Sequence, residues 1–250
     1  MKALVTGASS GIGHALAKRI AARGYEVWAS ARRTPDLEAL AREIEGTGGR
    51  AQPFTLDVSR PEEAEAKVRD LDRKVGGFDL VVANAGIGGD QRPASKQSLA
   101  GCRATIETNY LGALAVMLPV LPSMIERRSG HIVGVTSLAG EITLPAAVDY
   151  GTSKCALSFY LASAAPDLEP LGVAVTDVRP GFVKTPLTDK NQFAMPFLVE
   201  VDEAARIIDN GIAKRKRVVR FPLPLALGIS SGNLLPTSLR NALIRAKRPI

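Results

Sequence analysis

Cysteine is scarce in this chain of 250 residues, which has only Cys102 and Cys155. Two thiols cannot make the disulfide framework of a small secreted domain, so a reducing compartment is the simplest expectation. Histidine is as scarce. His14 and His131 stand apart from any cluster of cysteines or carboxylates, so no metal site is expected. Aromatic residues make up 5% of the chain and do not interleave with its basic runs, which argues against a nucleic-acid surface. No stretch is expected to serve as the ~20-residue uncharged span of a transmembrane helix. Nor is a leader expected, because Lys2 to Thr6 already reads as a core strand. These absences together predict a cytoplasmic protein.

Charge of one sign is in excess, at a formal +7. Much of it is local: Lys214, Arg215, Lys216, Arg217, Arg220, Arg240, Arg245, Lys247 and Arg248 all lie near the carboxyl end. The bland account is a solvated basic tail. The livelier one is an anionic membrane surface, since cations there flank the apolar run Phe221-Pro222-Leu223-Pro224-Leu225-Ala226-Leu227 and then Leu234-Leu235-Pro236. Covering a substrate pocket or pairing subunits would use the same residues.

Hydrophobic residues make up 46% of the chain, enough for one large, well-buried core. Short apolar runs alternate with segments of helical period, the pattern of βαβ units and a parallel sheet. Strands are predicted at 2–6, 25–30, 51–56, 80–83, 131–135 and 173–178, with a last one at 218–221. Helices are predicted at 12–23, 35–46, 61–75, 103–127 and 147–168. Runs this apolar are expected to be buried on both faces. Pro119 and Pro122 are expected to kink or end their helix. With no repeat or linker, the reading is a single α/β domain over residues 1–250, a Rossmann-like doubly wound parallel sheet.

Thr6-Gly7-Ala8-Ser9-Ser10-Gly11-Ile12-Gly13 follows a predicted strand and opens a predicted helix. There Gly7 permits a tight turn, Gly11 lets backbone approach a pyrophosphate and Gly13 lets helix and strand pack closely. The helix N-terminus offers free N–H groups and a positive dipole end to phosphate. Tyr150 and Lys154 are four apart and share a helix face. An ammonium over the phenol is expected to lower the tyrosine pKa toward working pH. Ser137 precedes the tyrosine at the end of a predicted strand. In this order, the glycine run and the Ser137, Tyr150 and Lys154 set resemble the short-chain dehydrogenase/reductase family over roughly the first 190 residues.

The resemblance implies a nicotinamide dinucleotide bound at Gly7, Ser9, Ser10, Gly11, Ile12 and Gly13. Members using NAD carry an acid at the end of the second strand; here the chain reads Trp28-Ala29-Ser30-Ala31-Arg32-Arg33. Arg32 stands where NADP-dependent members carry a basic residue, and a guanidinium suits a 2′-phosphate. Ser30, Ser9 and Arg33 are further candidates. NADP, in use as NADPH, is therefore the expected cofactor and NAD the less favoured one. The resemblance further places Asp57 and Val58 at the adenine, Asn84-Ala85-Gly86 beside the adenosine, and Pro180, Gly181, Val183 and Thr185 at the nicotinamide carboxamide.

For catalysis the resemblance implies that Ser137 bonds the substrate oxygen and that Tyr150 donates or accepts the proton. Lys154 would hold the nicotinamide ribose, and Asn109 would anchor a water of the proton relay. Donors preorganised at a carbonyl oxygen lower the barrier to its reduction. Gly134 stands where the family has asparagine and is expected to loosen the support behind the site. Cys155 reads as a buried packing thiol, His14 as a solvent-facing residue without a role, and His131 as structural.

Substrate choice is expected to fall to loops 87–95, 138–148 and 182–200. The last, with Leu187, Phe193, Met195, Pro196 and Phe197, reads as part of an apolar lid within about 182–215. A C-terminal extension follows from about 214 to 250. Family members often pair through the segment matching 163–168, which here reads Ser-Ala-Ala-Pro-Asp-Leu, a departure from that pattern. A homodimer or homotetramer is expected, with no nucleic acid and with peripheral membrane contact through the C-terminal segment. The function expected is NADP(H)-dependent interconversion of a carbonyl and an alcohol on a hydrophobic small molecule. The alternative is a dinucleotide-binding redox sensor with little turnover, in which case an acid–base set would be superfluous.

Overall fold

A computed structural model describes residues 1–189 and 194–246. Its strands are β1 (Lys2–Thr6), β2 (Glu26–Ala31), β3 (Arg50–Thr55), β4 (Leu80–Ala83), β5 (Gly130–Val135), β6 (Val173–Pro180) and β7 (Val218–Phe221). They form one sheet in the order β3-β2-β1-β4-β5-β6-β7, with each neighbouring pair parallel. The chain starts mid-sheet, winds outward to β3, then returns across β1 to β4 and winds the other way. Where the winding reverses, the connections after β1 and β4 leave on opposite sides, and a crevice opens at the carboxyl ends of those strands.

Strand alternation sends side chains into two cores. On one face Ala3 and Val5 of β1 pack with Leu16 and Ile20 of α1 (Gly11–Ala22), Leu37 and Leu40 of α2 (Thr34–Glu45), and Ile208 further along the chain. On the other, Leu4 and Val81 pack with Val68 of α3 (Pro61–Val75) and with Val116, Met117, Leu157 and Leu161. Each buried leucine contributes about 1.5–3 kcal/mol over leaving it in water. The expectation of strands buried on both faces fails at β3. Arg50, Gln52, Pro53 and Thr55 are exposed there, because β3 is an edge strand, the place in a sheet where a proline is tolerated.

The helical stretch after β4 runs from Leu99 to Glu126 as α4 (Leu99–Ile106), a π-helical turn (Glu107–Leu111), α5 (Gly112–Met117), a 3-10 turn (Leu118–Val120) and α6 (Leu121–Glu126). The prolines do not end it. Pro119 sits in the tight turn, and Pro122 lies in the first turn of α6, where its missing N–H costs little. By length and composition alone this stretch could cross a membrane, contrary to the expectation that no such segment exists. Val116, Met117, Val120 and Met124 are fully buried against the sheet, so its apolar character serves the core. Helix α7 (Val148–Leu168) likewise runs through Pro166, which lies on the exposed side beside exposed Ala162. After it come α8 (Val201–Ala213), α9 (Leu223–Asn233) and α10 (Thr237–Ala246).

Candidate active site

The crevice at the winding reversal is a cleft of about 500 Å³. Gly7 and Gly11 adopt φ of +67° and +57°, values that L side chains rarely adopt. A Cβ on Gly7 would lie 2.7 Å from Asn84 Nδ2, and one on Gly13 would collide with the carbonyl of Gly7. Gly13 therefore allows the close packing of α1 on the β1 turn and stays outside the cleft wall. Ser10 precedes α1 in extended conformation, and the first turn carries no acid. Its N–H groups and dipole end are left facing the cleft, as anion binding requires.

Ser9, Ser10, Gly11, Ile12, Ser30, Arg32, Arg33, Asp57, Val58, Asn84, Ala85 and Gly86 line one side of the cleft. Ser30 Oγ is buried there without a hydrogen-bond partner among the described residues, an arrangement that a ligand hydroxyl or phosphate oxygen would complete. Arg33 pairs with Asp36 and donates to Ser9 Oγ at 3.2 Å. Arg32 is exposed, and its charge acts on Asp57. Burial raises the Asp57 pKa, but two hydrogen bonds from Ser59 together with Arg32 and Arg60 outweigh it, so the carboxyl sits below its ordinary value. Asn84 Nδ2 donates to the carbonyl of Thr6 at 2.8 Å and the Asn84 backbone N–H to Thr6 Oγ1 at 3.0 Å. Asn84 thus ties β4 to β1 at the mouth of the crevice. These groups fit a dinucleotide: a phosphate cradle, an orphan hydroxyl, free guanidinium charge and an ionised carboxylate.

The other side is lined by Ser137, Tyr150, Lys154, Pro180, Gly181, Val183 and Thr185. Ser137 follows β5, where its Oγ accepts from Ala139 N at 3.0 Å. Tyr150 and Lys154 lie on the first turns of α7. Lys154 Nζ stands 5.9 Å from the Tyr150 ring centroid and donates to the carbonyl of Val135 at 2.8 Å. The expected lowering of the phenol is not found. Burial raises the Tyr150 pKa above its ordinary value, opposed by a hydrogen bond with Ser137, while the ammonium is held on a backbone carbonyl. Burial lowers the Lys154 pKa to about 8, with Asp177 acting in the opposite sense.

Asn109 lies in the π-helical turn, a distortion common at functional sites. It is fully buried and does not line the cleft. Its side chain bonds both backbone groups of Ile87 and donates to Ser153 Oγ at 3.0 Å. Gly134 does not loosen the support behind the site, because Leu161 fills the space. A Cβ there would stand 2.5 Å from Leu161 Cδ1. Cys155 is exposed and is not a packing thiol, since it falls on the outer side of α7. His14 reaches Glu43 Oε2 at 3.3 Å. His131 is buried on Thr176 at 2.8 Å.

Of the expected lid, Leu187 lines the cleft beside Pro186 and Thr188, whereas Phe197 is exposed. Phe193 lies outside the described residues, as do Lys247 and Arg248. Sequence reasoning missed Asp149, a buried carboxylate accepting from Asp90 N at 2.8 Å and Thr105 Oγ1 at 2.7 Å, which fastens the 87–98 loop to α7. It also missed Asp177 and Thr136, joined at 2.6 Å. In each case the partners are far apart in sequence, and only the topology brings them together.

A family model for short chain dehydrogenases matches residues 1–195. An uncharacterized oxidoreductase of Myxococcus xanthus is 44% identical over 98% of this chain and 97% of its own. A 3-oxoacyl-acyl-carrier-protein reductase of Thermotoga maritima is 34% identical over 91% of each chain. Among solved structures, a short-chain dehydrogenase from Sphingobium yanoikuyae in complex with NADPH aligns with a TM-score of 0.84 at 26% identity, over 99% of this chain and 96% of that one. The chain belongs to the short-chain dehydrogenase/reductase family of oxidoreductases.

Proposed function

We propose that this enzyme binds NADPH and interconverts a carbonyl and an alcohol on a hydrophobic small molecule, with Tyr150 as the acid–base group. The observation that carries this reading is the meeting of Ser137, Tyr150 and Lys154 with the glycine cradle in one cleft. When bound, the reduced dinucleotide supplies the hydride. The chain's own part is to hold the substrate oxygen and to furnish its proton. Ser137 Oγ and the Tyr150 hydroxyl are the donors for that oxygen. The raised phenol is protonated at neutral pH, the state needed to donate to a nascent alkoxide. Lys154, mostly charged at pH 7 with a pKa of about 8, is placed to bond a ribose. Asn109 supports this end of the site by fixing Ile87 and Ser153.

The preference for NADPH rests on Arg32, Ser30 and the Arg33–Ser9 contact, with NADPH in the Sphingobium relative as further support. Apolar surroundings support a hydrophobic substrate. Leu187 lines the cleft, and Leu138, next to Ser137, packs with Ala226 and Ile229 of α9. Exposed Leu223, Leu227 and Leu234, in a segment without Asp or Glu from residue 214 onward, support peripheral contact with an anionic bilayer. Self-association into a homodimer or homotetramer belongs to the same reading.

Tyr150→Phe is the test. With a panel of ketones and aldehydes that includes long-chain ones, NADPH oxidation by the variant is expected to fall at least a hundredfold, about the contribution of acid–base catalysis. NADPH affinity is expected to stay within about threefold, less than 1 kcal/mol. Wild-type turnover surviving in the variant would overturn the assignment of Tyr150. A wild type that binds NADPH but reduces no carbonyl in the panel would favour the sensor reading instead.

A further inference from the structure

Behind the cleft a buried carboxylate joins the two elements that carry the proposed acid–base groups. Asp177 of β6 is 3% exposed. Its Oδ1 accepts from Thr136 Oγ1 at 2.6 Å. Its Oδ2 accepts from Ser158 Oγ at 2.6 Å and from Arg179 Nε at 2.7 Å. Thr136 is the chain neighbour of Ser137. Ser158 stands one helical turn beyond Lys154, on the same face of α7. One side chain therefore holds the end of β5 to the helix of Tyr150 and Lys154.

The network continues outward. Arg179 Nη1 donates to Glu141 Oε1 at 3.0 Å, and Arg220 donates to the other oxygen of Glu141. Arg220 also donates to Ser230 Oγ at 2.9 Å and the Ala226 carbonyl at 3.2 Å, and Asn233 Nδ2 donates to the Glu141 carbonyl at 2.7 Å. Arg220, counted with the basic tail on sequence grounds, is thus an internal tie between α9 and the turn after Ser137.

We propose that Asp177 is a positioning residue for the reaction, a clamp that sets the spacing between Ser137 and the Tyr150–Lys154 pair and presents a fixed negative charge to Lys154. The proposal rests on the reading of the site given above. Asparagine could bond Thr136 and Ser158 but would leave Arg179 without its ion pair, and that pair is what makes the buried charge tolerable. The groups around Lys154 indicate what the charge does. Its own helix presents Tyr150, and β6 presents Asp177 with Arg179 behind it. The elements on its other sides present the Val135 carbonyl, Gly86 and the Asn109 amide. Burial disfavours the ammonium, and Asp177 acts in the opposite direction.

The test follows the Lys154 13Cε resonance against pH in the protein without substrate, assigned by its loss in Lys154→Met. In Asp177→Asn the titration midpoint is expected to fall by about one pH unit, as when an opposite charge at short range is removed. In Arg179→Met, which leaves the carboxylate uncompensated, it is expected to rise. Turnover in Asp177→Asn should fall about ten- to a hundredfold, the scale of a small misplacement, with NADPH affinity within about threefold. Unmoved midpoints, or shifts of the same sign in both variants, would overturn the proposal. Should Asp177→Asn fail to fold, Arg179→Met decides: a rise supports the clamp's charge role and no rise refutes it. A wild type without carbonyl reduction would undo the proposed activity, whereas the lysine titration is read independently of turnover.

Discussion

Asn109 and Ile87 are joined twice: Ile87 N donates to Asn109 Oδ1 at 2.8 Å, and Asn109 Nδ2 donates to the Ile87 carbonyl at 2.9 Å. A side-chain amide here takes the place of a neighbouring strand, satisfying both backbone groups of a residue that has just left β4. Asn109→Leu removes both bonds and the one to Ser153, leaving buried polar groups without partners. A loss of roughly 2–4 kcal/mol in urea unfolding is expected. A change below about 0.5 kcal/mol, the level of an ordinary surface substitution, would mean that water or a shifted loop replaces the amide at no cost.

Arg32 offers the cleft a guanidinium that forms no ion pair among the described residues, while Arg33 is occupied with Asp36 and Ser9. Their proposed roles therefore differ, with Arg32 the phosphate partner and Arg33 the frame. Arg32→Asp is expected to change the ratio of NADPH to NADH affinity by about ten- to a hundredfold in favour of NADH, the worth of one charge-assisted hydrogen bond. Arg33→Ala should change that ratio less. Fluorescence titration with both dinucleotides measures it, and an unaltered ratio in Arg32→Asp would place the 2′-phosphate contact elsewhere.

Much of the sheet was legible because its signals are local. A buried parallel strand is a short apolar run, and the strands at 2–6, 80–83 and 218–221 appear at those bounds. The glycine cradle and the Tyr150–Lys154 spacing were legible for the same reason, since turn geometry and helix period act within a few residues. What each group does once placed was not. The i, i+4 rule brings Lys154 to Tyr150, but the carbonyl that holds the ammonium belongs to Val135 on another strand. The phenol is accordingly governed by burial and rises. Asp149 and Asp177 were invisible because a carboxylate's role depends on donors delivered by distant elements. Gly134 misled because its missing side chain is compensated by Leu161, on a helix elsewhere in the sequence.

The face of α9 turned away from the core carries Leu223 and Leu227, 67% and 65% exposed, with Leu234 beyond them at 87%. Four and eleven residues at 100° each keep all three within one narrow stripe. If that stripe lies on an anionic bilayer, Leu227→Glu should weaken co-sedimentation with phosphatidylglycerol vesicles by about tenfold or more, the worth of one buried leucine. High salt should weaken it through the cations at 214–217. Activity on a soluble carbonyl should be unchanged. Wild-type protein that fails to sediment with anionic vesicles at low salt would remove membrane contact from the proposal.

His131 provides a pH prediction independent of catalysis. Thr176 Oγ1 donates its one proton to the Lys216 carbonyl at 2.6 Å, so His131 Nε2 is the donor in the 2.8 Å contact between them. The neutral Nε2–H tautomer and the imidazolium can both donate there, and burial decides for the neutral form at pH 7. Burial, and then the charges of Arg215 and Arg23, lower its pKa from 6.5 to about 4. The unfolded chain binds this proton below about 6.5 while the folded chain resists it until about 4, so stability is lost as the pH is lowered through that window. At 1.36 kcal/mol per pH unit the loss approaches ~3 kcal/mol. His131→Asn, lacking the titration, should show a flatter dependence of unfolding free energy on pH between 6.5 and 4, whatever its stability at neutral pH. Parallel curves for the two proteins would mean that the imidazole already carries its proton in the fold or never gains it on unfolding.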